Sequence, residues 1–257
     1  MQKNYKYIEN MFNLSFQIAK AEFKLRNEGS YLGIFWYLLS PVLTFSLLFL
    51  IFSDRLGNDI PLYSPYLLLG IILFNFFQST TLESTKSLAQ ENHFLLKSIN
   101  FPKESLVVSI VLKNLFSHIF EIIIFCLLLV YSNLNLTWIL YYIPILFLFS
   151  IFILGISLIL SSLTVFFIDL DNIWNFVVRL VWLGTPIFYA IAGQTRLFYI
   201  NMINPLYYFI TVSRDILIYH TMPETWVIIG MIIISIVSLS LGLLIFNKLN
   251  KKITELI

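Results

Sequence analysis

The stretch WVIIGMIIISIVSLSLGLLIF at residues 226–246 decides the fold class, because it contains no charged side chain. A hydrocarbon layer about 30 Å thick is crossed by about twenty helical residues that rise 1.5 Å each. Inside lipid a backbone N–H or C=O finds no water, so the segment must satisfy its own hydrogen bonds, as a helix does. The stretch therefore predicts a helix that crosses a membrane.

The composition of the whole chain supports the same class. Hydrophobic residues make up 59% of it and charged residues 12%, whereas soluble proteins average about 25% charged residues. This excludes a soluble globule and leaves no room for a separate catalytic domain. The net charge of +2 is too small to indicate a nucleic-acid partner. The single cysteine, Cys126, lies in an apolar run and forms neither a disulfide framework nor a paired metal site.

Runs without charge recur along the chain and predict six membrane spans. The spans are 33–53, 60–82, 106–131, 137–168, 172–193 and 226–247. The third carries Lys113, His118 and Glu121, for which a contact between helices or a proton relay both fit. The fifth carries Arg179, which fits either an anionic substrate or an internal carboxylate such as Glu121. Because ionisable groups are costly in hydrocarbon, both helices should face protein or a water-lined cavity there.

The distribution of basic residues predicts the topology. With six spans and the N-terminus inside, eleven of them fall on the cytoplasmic side: Lys3, Lys6, Lys20, Lys24, Arg26, Lys86, Lys97, Lys103, Lys248, Lys251 and Lys252. Three fall outside: Arg55, Arg196 and Arg214. A seventh span would move the C-terminal lysines outside, so residues 194–222 are predicted to form a re-entrant or interfacial hairpin of two short helices on the outer side. Asn204 as N-cap and Pro205 at the first helical position would begin the second helix.

The N-terminal segment 1–28 has helical periodicity with two different faces. The apolar face holds Ile8, Phe12, Phe16, Ala19 and Phe23, and the polar row holds Glu9, Asn13, Gln17, Lys20 and Lys24. The segment is predicted to be an amphipathic helix along the cytoplasmic membrane surface. Phe12, Phe16, Lys20 and Phe23 are its candidate contact residues, either for a cytoplasmic partner or for a simple membrane anchor.

The longest polar connection between spans covers residues 83–105. A short helix over 87–97 would end before Pro102. In a transporter such a helix would insert into a soluble motor domain and transmit its motion, whereas a plain connector would be solvated. The residues expected to contact the motor are Leu88, Glu91, Phe94, Leu95 and Lys97.

Two further patterns bear on metal and nucleotide chemistry. Asp169 and Asp171 resemble the acidic pair with which sugar transferases hold a divalent metal, but carboxylates at a helix start also complement the helix dipole. His93, His118 and His220 fall in a cytoplasmic loop, a span and an outer segment, so no metal site is expected from them. The chain contains no GxxxxGK[ST] phosphate loop, so any ATP it depends on must be hydrolysed by another subunit.

Aromatic residues make up 17% of the chain and cluster near the predicted span ends. Most are expected to form interfacial belts. Some could line a conduit, because sugar rings present C–H faces that stack on aromatic planes. The candidates are Trp36, Tyr37, Trp182, Phe188 and Tyr189, with Tyr207 and Tyr208 in the outer hairpin.

Four blocks of sequence together resemble the membrane subunit of ABC-2-type polysaccharide exporters, a family that includes O-antigen, capsule and wall teichoic acid permeases. The blocks are LRNEGSYLGIFWYLLSPVLT (25–44), INFPKES (99–105), FFIDLDNIWNFVVRLVWLGTPIFY (166–189) and INPLYYFITVSRDIL (203–217). They follow the family's order and spacing over nearly the whole chain. One departure is Ile168, where the family commonly has a basic residue, so any role of that charge does not carry over.

The resemblance implies an all-α transmembrane subunit of an ATP-driven exporter in the bacterial inner membrane, with both termini cytoplasmic. The implied cargo is a polysaccharide on polyprenyl pyrophosphate, most naturally an O-antigen. The implied partners are a second copy of the chain and two copies of a separate ATPase, which binds ATP and Mg. Motor contacts would come from the N-terminal helix and the 87–97 helix.

The resemblance also implies roles for particular residues. Residues 194–222 would form an external gate that includes Asn204, Pro205, Tyr207 and Tyr208. The cations to consider for pyrophosphate contact are Lys24, Arg26 and Arg179. Two alternatives remain at this stage: an ABC-2 exporter of a drug or another lipid, and an integral-membrane glycosyl- or phosphotransferase built on Asp169 and Asp171.

Overall fold

The computed structural model describes residues 2–28, 33, 35–57, 59–88, 102–167, 169–191 and 193–256. This part of the chain is all-α and contains no strand. Its α-helices are α1 Gln2–Glu28, α2 Phe35–Leu56, α3 Tyr63–Ser84, α4 Glu104–Tyr131, α5 Tyr142–Thr164, α6 Leu170–Gly184, α7 Thr195–Ile203, α8 Pro205–Leu217 and α9 Thr225–Leu256. A 3₁₀ helix, Leu136–Tyr141, leads directly into α5.

Five helical segments in the described part are long and apolar enough to cross a membrane. They are Leu38–Leu56, Tyr63–Ser84, Glu104–Tyr131, Leu136–Thr164 and Thr225–Leu249. They correspond to five of the six predicted spans, with helix ends that differ by a few residues. The fourth span ends at Thr164 instead of residue 168, and the last helix continues beyond residue 247 to Leu256.

The remaining predicted span, 172–193, is not a continuous helix. Helix α6 has 15 residues and is therefore about 22 Å long, short of the roughly 30 Å of hydrocarbon. Pro186 explains the break, because proline disfavours the helical conformation of the residue before it. Thr185 accordingly has extended backbone angles, φ −87° and ψ 137°. Residues 185–191, the broken segment, run without helix from α6 toward α7, and the count of six spans stays a prediction.

Helix α3 forms the centre of the bundle. It packs against α2, α4, α5, α6 and α8, and every residue from Leu67 to Phe74 is buried. Of its most apolar stretch 78% is buried, compared with 6% for α2. A helix that is apolar on all sides suits such a central position, whereas α2 presents most of its surface outward.

Helices α5 and α9 make the most extensive contact between two helices in the described part of the chain. A Cβ atom on Gly155 would overlap the backbone of Ser238, and one on Gly242 would lie 2.5 Å from the carbonyl oxygen of Gly155. The Ser238 hydroxyl donates to the carbonyl oxygen of Phe152 at 2.9 Å. Small residues of this kind let helices approach closely in a membrane, where lipid removes most of the hydrophobic drive for association.

The predicted helix over 1–28 is present as α1 and packs along α4. Ser15 and Ala19 are fully buried, while Phe12 is half exposed. Rings join the two helices, with Phe23 stacked on Phe120 at 6.3 Å and Phe16 edge-on to Phe116 at 5.9 Å. The predicted polar row is exposed. The location of α1 at the membrane surface stays a prediction.

The segment 194–222, predicted to be a hairpin on the outer side, contains two short helices, α7 and α8. The start of α8 is confirmed in detail, since the Asn204 side chain accepts from the Leu206 amide at 3.0 Å and Pro205 occupies the first helical position. Helix α8 is also largely buried against α3, α5 and α9. The predicted gate role of Asn204, Pro205, Tyr207 and Tyr208 stays a prediction.

Candidate functional site

A groove of about 600 Å³ lies between α2, α3 and α6. Its polar lining consists of Ser40 and Thr44 from α2, Asn75 and Gln78 from α3, and Arg179 from α6. Its apolar lining includes Leu47, Phe74, Val178 and Trp182. Mostly apolar walls with a few polar groups are typical of ligand sites, and the volume falls in their usual range of roughly 300–1,000 Å³.

Arg179 is the one charged side chain among the described residues that line this groove. It is exposed, and it forms no hydrogen bond or ion pair with the part of the chain that the structure describes. An unpaired cation on an apolar helix is stable only where it meets water or an anion. The Arg179 guanidinium is therefore suited to a phosphate group, which it can contact with two parallel hydrogen bonds.

Glu121, the internal carboxylate considered for Arg179, has other partners. Its carboxylate lies 2.9 Å from Nδ1 of His118, and its side chain also contacts Asn75 through a hydrogen bond. His118 Nε2 lies 2.6 Å from the Tyr142 hydroxyl. With an ionised Glu121, the consistent assignment has Nδ1–H donating to Glu121 and Tyr142 donating to Nε2. This network joins α3, α4 and α5, and through Asn75 it reaches the wall of the groove.

Lys113 has partners that the local spacing did not reveal. Its ammonium lies 2.8 Å from Glu22 on α1 and 3.1 Å from Glu83 on α3. Glu83 also accepts from Arg26 at 3.2 Å and from Asn114 at 2.9 Å. We call these five side chains the Lys113 cluster. These contacts join α4 to α1 and α3, whereas Glu121 lies eight helical residues from Lys113, about 12 Å along α4.

The Lys113 cluster should fix α1 against the bundle. Replacing Lys113 with methionine leaves Glu22 and Glu83 facing each other and is expected to destabilise this docking by about 2 kcal/mol, less than for a fully buried pair. Limited proteolysis of the purified chain in detergent should then cleave within residues 1–28 faster than in the wild type. Lys20→Met, an exposed change on α1, is the control. Equal cleavage of Lys113→Met and wild type would contradict the prediction.

The structure does not gather the predicted cations at one place. Lys24 forms an exposed ion pair with Glu28 at 3.4 Å, one turn along α1. Arg26 contributes to the Lys113 cluster. Of the three candidates for pyrophosphate contact, Arg179 alone lines the groove.

The predicted aromatic residues are likewise dispersed. Trp182 lines the groove and contacts Phe74 edge-on at 4.7 Å. Phe188 stacks on Phe52 at 5.1 Å, and Tyr189 donates to the Gly184 carbonyl at 2.9 Å. Trp36 is exposed. The side chain of Tyr37 is outside the described residues.

Arg214, expected to be an outer surface charge, is buried with 4% exposure. Its guanidinium donates to the carbonyl oxygens of Pro186 at 2.6 Å, Ile187 at 2.8 Å and Tyr66 at 3.0 Å. It also lies over the Tyr66 ring. A Cβ atom on Gly70 would come within 2.7 Å of the guanidinium, so this glycine makes room for it.

Two tyrosines of α3 complete the hydrogen bonding of the broken segment. Tyr63 donates to the carbonyl of Phe188 at 3.0 Å, and Tyr66 donates to that of Tyr189 at 2.8 Å. A non-helical backbone at membrane depth is tolerated only where protein or water satisfies it. Arg214, Tyr63 and Tyr66 supply those donors, and they connect the broken segment to α3 and α8.

The segment expected to contact a motor subunit is described only at its ends. Leu88 is fully buried in a small apolar cluster with Leu106, Leu158 and Phe246, so its side chain contributes to the packing of the fold. Glu91, Phe94, Leu95 and Lys97 lie outside the described residues. Their contact with a motor stays a prediction.

The acidic pair near α6 also has structural partners. Asp171 accepts from the Thr85 hydroxyl at 2.7 Å and so connects α6 to the end of α3. Asp169 lies at the start of α6 and makes no capping hydrogen bond from its side chain. Among the described residues no three His, Cys, Asp or Glu side chains are placed to hold a metal ion.

Comparison with known proteins identifies the family. The model of the ABC-2 type transporter family matches residues 14–218. The chain is 29% identical over 251 residues to a Klebsiella pneumoniae protein named O-antigen export system permease protein RfbA, with 96% of each chain covered. It is 25% identical over 246 residues to a Myxococcus xanthus protein of the same name, with 94% of each chain covered. The chain therefore belongs to the ABC-2 type transporter family and is a transport protein of the membrane, not an enzyme.

Proposed function

We propose that this chain is the membrane subunit of an ATP-driven exporter for a polysaccharide carried on polyprenyl pyrophosphate, with an O-antigen as the cargo. The family match and the names of its relatives support the class of system. The observation that carries the cargo assignment is the unpaired Arg179 in a groove with both polar and apolar walls.

The chemistry of the groove matches the three parts of such a substrate. Arg179 offers a cation to the pyrophosphate. Asn75 and Gln78, one turn apart on α3, offer amide groups to sugar hydroxyls. Leu47 and Trp182 offer apolar surface to the polyprenyl chain. No bond of the substrate is made or broken in this scheme, because the chain's side chains only bind and orient it.

The proposed assembly contains two copies of the chain and two copies of a separate ATPase, which binds ATP and Mg. Segment 83–105 and α1 would face the ATPase, and segment 194–222 would close the external side. The proposal places the chain in the bacterial inner membrane with six spans and both termini in the cytoplasm. The broken segment would then complete the crossing that α6 leaves unfinished.

Replacing Arg179 with glutamine tests the cargo assignment. Loss of a hydrogen-bonded charge from a phosphate contact costs about 1.5–3 kcal/mol, so export is expected to fall about tenfold or more. Arg179→Lys should retain part of the activity, because lysine keeps the charge but not the two-pronged geometry. Surface polysaccharide would be measured in a strain whose own permease gene is replaced by this one, expressed with its ATPase.

The control for this test is Arg196→Gln, which removes an exposed outer arginine. In parallel, ATP hydrolysis by the purified complex should rise on addition of lipid-linked glycan, and Arg179→Gln should weaken that response. Normal export by Arg179→Gln would reject the role of this residue. A response to small lipids or drugs but not to glycan would favour the alternative ABC-2 cargo.

A further inference from the structure

A second, smaller pocket of about 170 Å³ lies at the outer end of α3, between the broken segment and α8. Its side chains include Tyr207, Thr211, Asp215 and Tyr219 from α8 and the turn after it, with Arg214 also in its wall. The pocket is separate from the groove, whose lining shares none of these residues. Its volume is below the roughly 300–1,000 Å³ of sites for drug-sized ligands, so it suits a single small ring.

Asp215 is the group in this pocket without a partner. Its carboxylate is half-buried and makes no hydrogen bond or ion pair with any described residue. Its neighbour Arg214 cannot satisfy it, because that guanidinium is committed to the carbonyls of Tyr66, Pro186 and Ile187. A half-buried carboxylate with free acceptor positions favours a ligand that brings hydrogen-bond donors.

The charges around Asp215 restrict the ligand further. Burial, and secondarily Glu224, raise the pKa of Asp215 to about 6, although Arg214 opposes this. A phosphate would meet the Asp215 carboxylate, and the Arg214 guanidinium beside it already donates to three carbonyl oxygens. A divalent cation would find one carboxylate in the pocket, and no three His, Cys, Asp or Glu side chains of the described residues are placed to hold a metal ion. A neutral ring with several hydroxyl groups and an apolar face is not repelled by the carboxylate and needs no further charged ligands.

Tyr207 and Tyr219 supply the aromatic surface that a site for such a ring needs. Tyr219 donates to the Pro61 carbonyl at 3.2 Å, which fixes its ring at the rim of the pocket. Tyr207 and Thr211, one turn apart on α8, share a hydrogen bond between their side chains and also line the pocket. Aromatic surface beside a carboxylate and hydroxyl groups matches the C–H faces and hydroxyls of a sugar ring.

We propose that this pocket binds one neutral sugar ring of the exported glycan on the outer side, with Asp215 accepting hydrogen bonds from the ring hydroxyls. The proposal rests on the proposed function for the origin of the sugar. It adds a second contact point, separated from Arg179, at which the emerging glycan is held by its rings and not by its phosphate.

The test uses the purified complex of this chain with its ATPase, in lipid nanodiscs and without nucleotide. Saturation-transfer NMR would measure binding of methyl glucoside, methyl galactoside and methyl rhamnoside. At least one probe should give a signal at pH 7.5, and Asp215→Leu should reduce it fivefold or more. The matched control is Asp59→Leu, which removes an exposed carboxylate on the same side.

A pH series separates binding by Asp215 from an effect on folding. The carboxylate is ionised above about pH 6 and neutral below it, so the probe signal should fall as the pH is lowered from 7.5 to 5. The other groups that face Asp215 are Arg214, Glu224, Tyr66, Tyr207 and Tyr219. Asp215→Asn keeps the shape of the side chain and one hydrogen-bond acceptor, but its amide does not titrate. Its probe signal should therefore be weaker than that of the wild type and should not fall between pH 7.5 and 5.

Three results would overturn the proposal. The first is the absence of a signal from every probe in the wild type. The second is an equal signal in wild type and Asp215→Leu, and the third is an unchanged fall with pH in Asp215→Asn. These outcomes are independent of the Arg179 experiment, so the sugar pocket can fail while the exporter function stands. Conversely, sugar binding in a complex that does not respond to lipid-linked glycan would contradict only the proposed function.

Discussion

Replacing Arg214 with methionine is expected to lower the stability of the folded protein by about 2–4 kcal/mol. The guanidinium is the donor for the carbonyls of Pro186 and Ile187, which belong to no helix. Each buried carbonyl left without a donor costs about 1–3 kcal/mol, and hydrocarbon offers no water in exchange. Methionine carries no charge, so the variant avoids the cost of desolvating a buried guanidinium. This offsets part of the loss.

The unfolding temperature of the detergent-purified chain, followed by tryptophan fluorescence, measures this effect. Arg214→Lys should unfold between wild type and Arg214→Met, because one ammonium cannot reach all the acceptors that the guanidinium reaches. Arg196→Met is the control, since Arg196 is exposed. If Arg214→Met unfolds at the wild-type temperature, the broken segment does not depend on this side chain.

Replacing Gly155 with alanine is expected to destabilise the α5–α9 contact by about 3 kcal/mol, the upper part of the usual range for overpacking. The added methyl group would overlap the backbone of Ser238, which cannot rotate away as a side chain can. Relief therefore requires the two helices to separate. That separation would also break the hydrogen bond from Ser238 to Phe152.

Gly184→Ala provides a matched comparison for this change. A Cβ atom there meets no other atom within 4 Å, and alanine is a better helix former than glycine by about 1 kcal/mol. The two alanine variants should therefore shift the unfolding temperature in opposite directions, or leave Gly184→Ala unchanged. A similar effect of both would show that loss of glycine, and not the crowding at Ser238, is responsible.

The apolar runs predict most of the helices because each crossing is specified by its own residues. The start of α8 follows from Asn204 and Pro205 for the same local reason. The charge-free run 172–193 predicted one continuous span, whereas α6 ends at Gly184. The cause, Pro186, lies within the sequence block 166–189 quoted above. Absence of charge identifies a stretch that tolerates lipid, but it does not show that the stretch is one helix.

Partners from distant parts of the chain could not be predicted in this way. Lys113 pairs with residues 91 and 30 positions away, in α1 and α3. Arg214 does carry a local signal, because Ile210 and Leu217 share its helix face and are buried. Arg179 and Trp182 can be placed on one face of α6 from their spacing, but the opposite walls of the groove come from α2 and α3.

The shallow attachment of α2 determines how the groove can change its width. Its inward contacts include stacked rings, with Phe49 on Tyr63 and Phe52 on Phe188, and ring faces slide over one another more readily than interlocked side chains separate. The opposite wall belongs to α3, which packs against α2, α4, α5, α6 and α8. A wider groove therefore requires a displacement of α2, while α3 beneath it keeps its position.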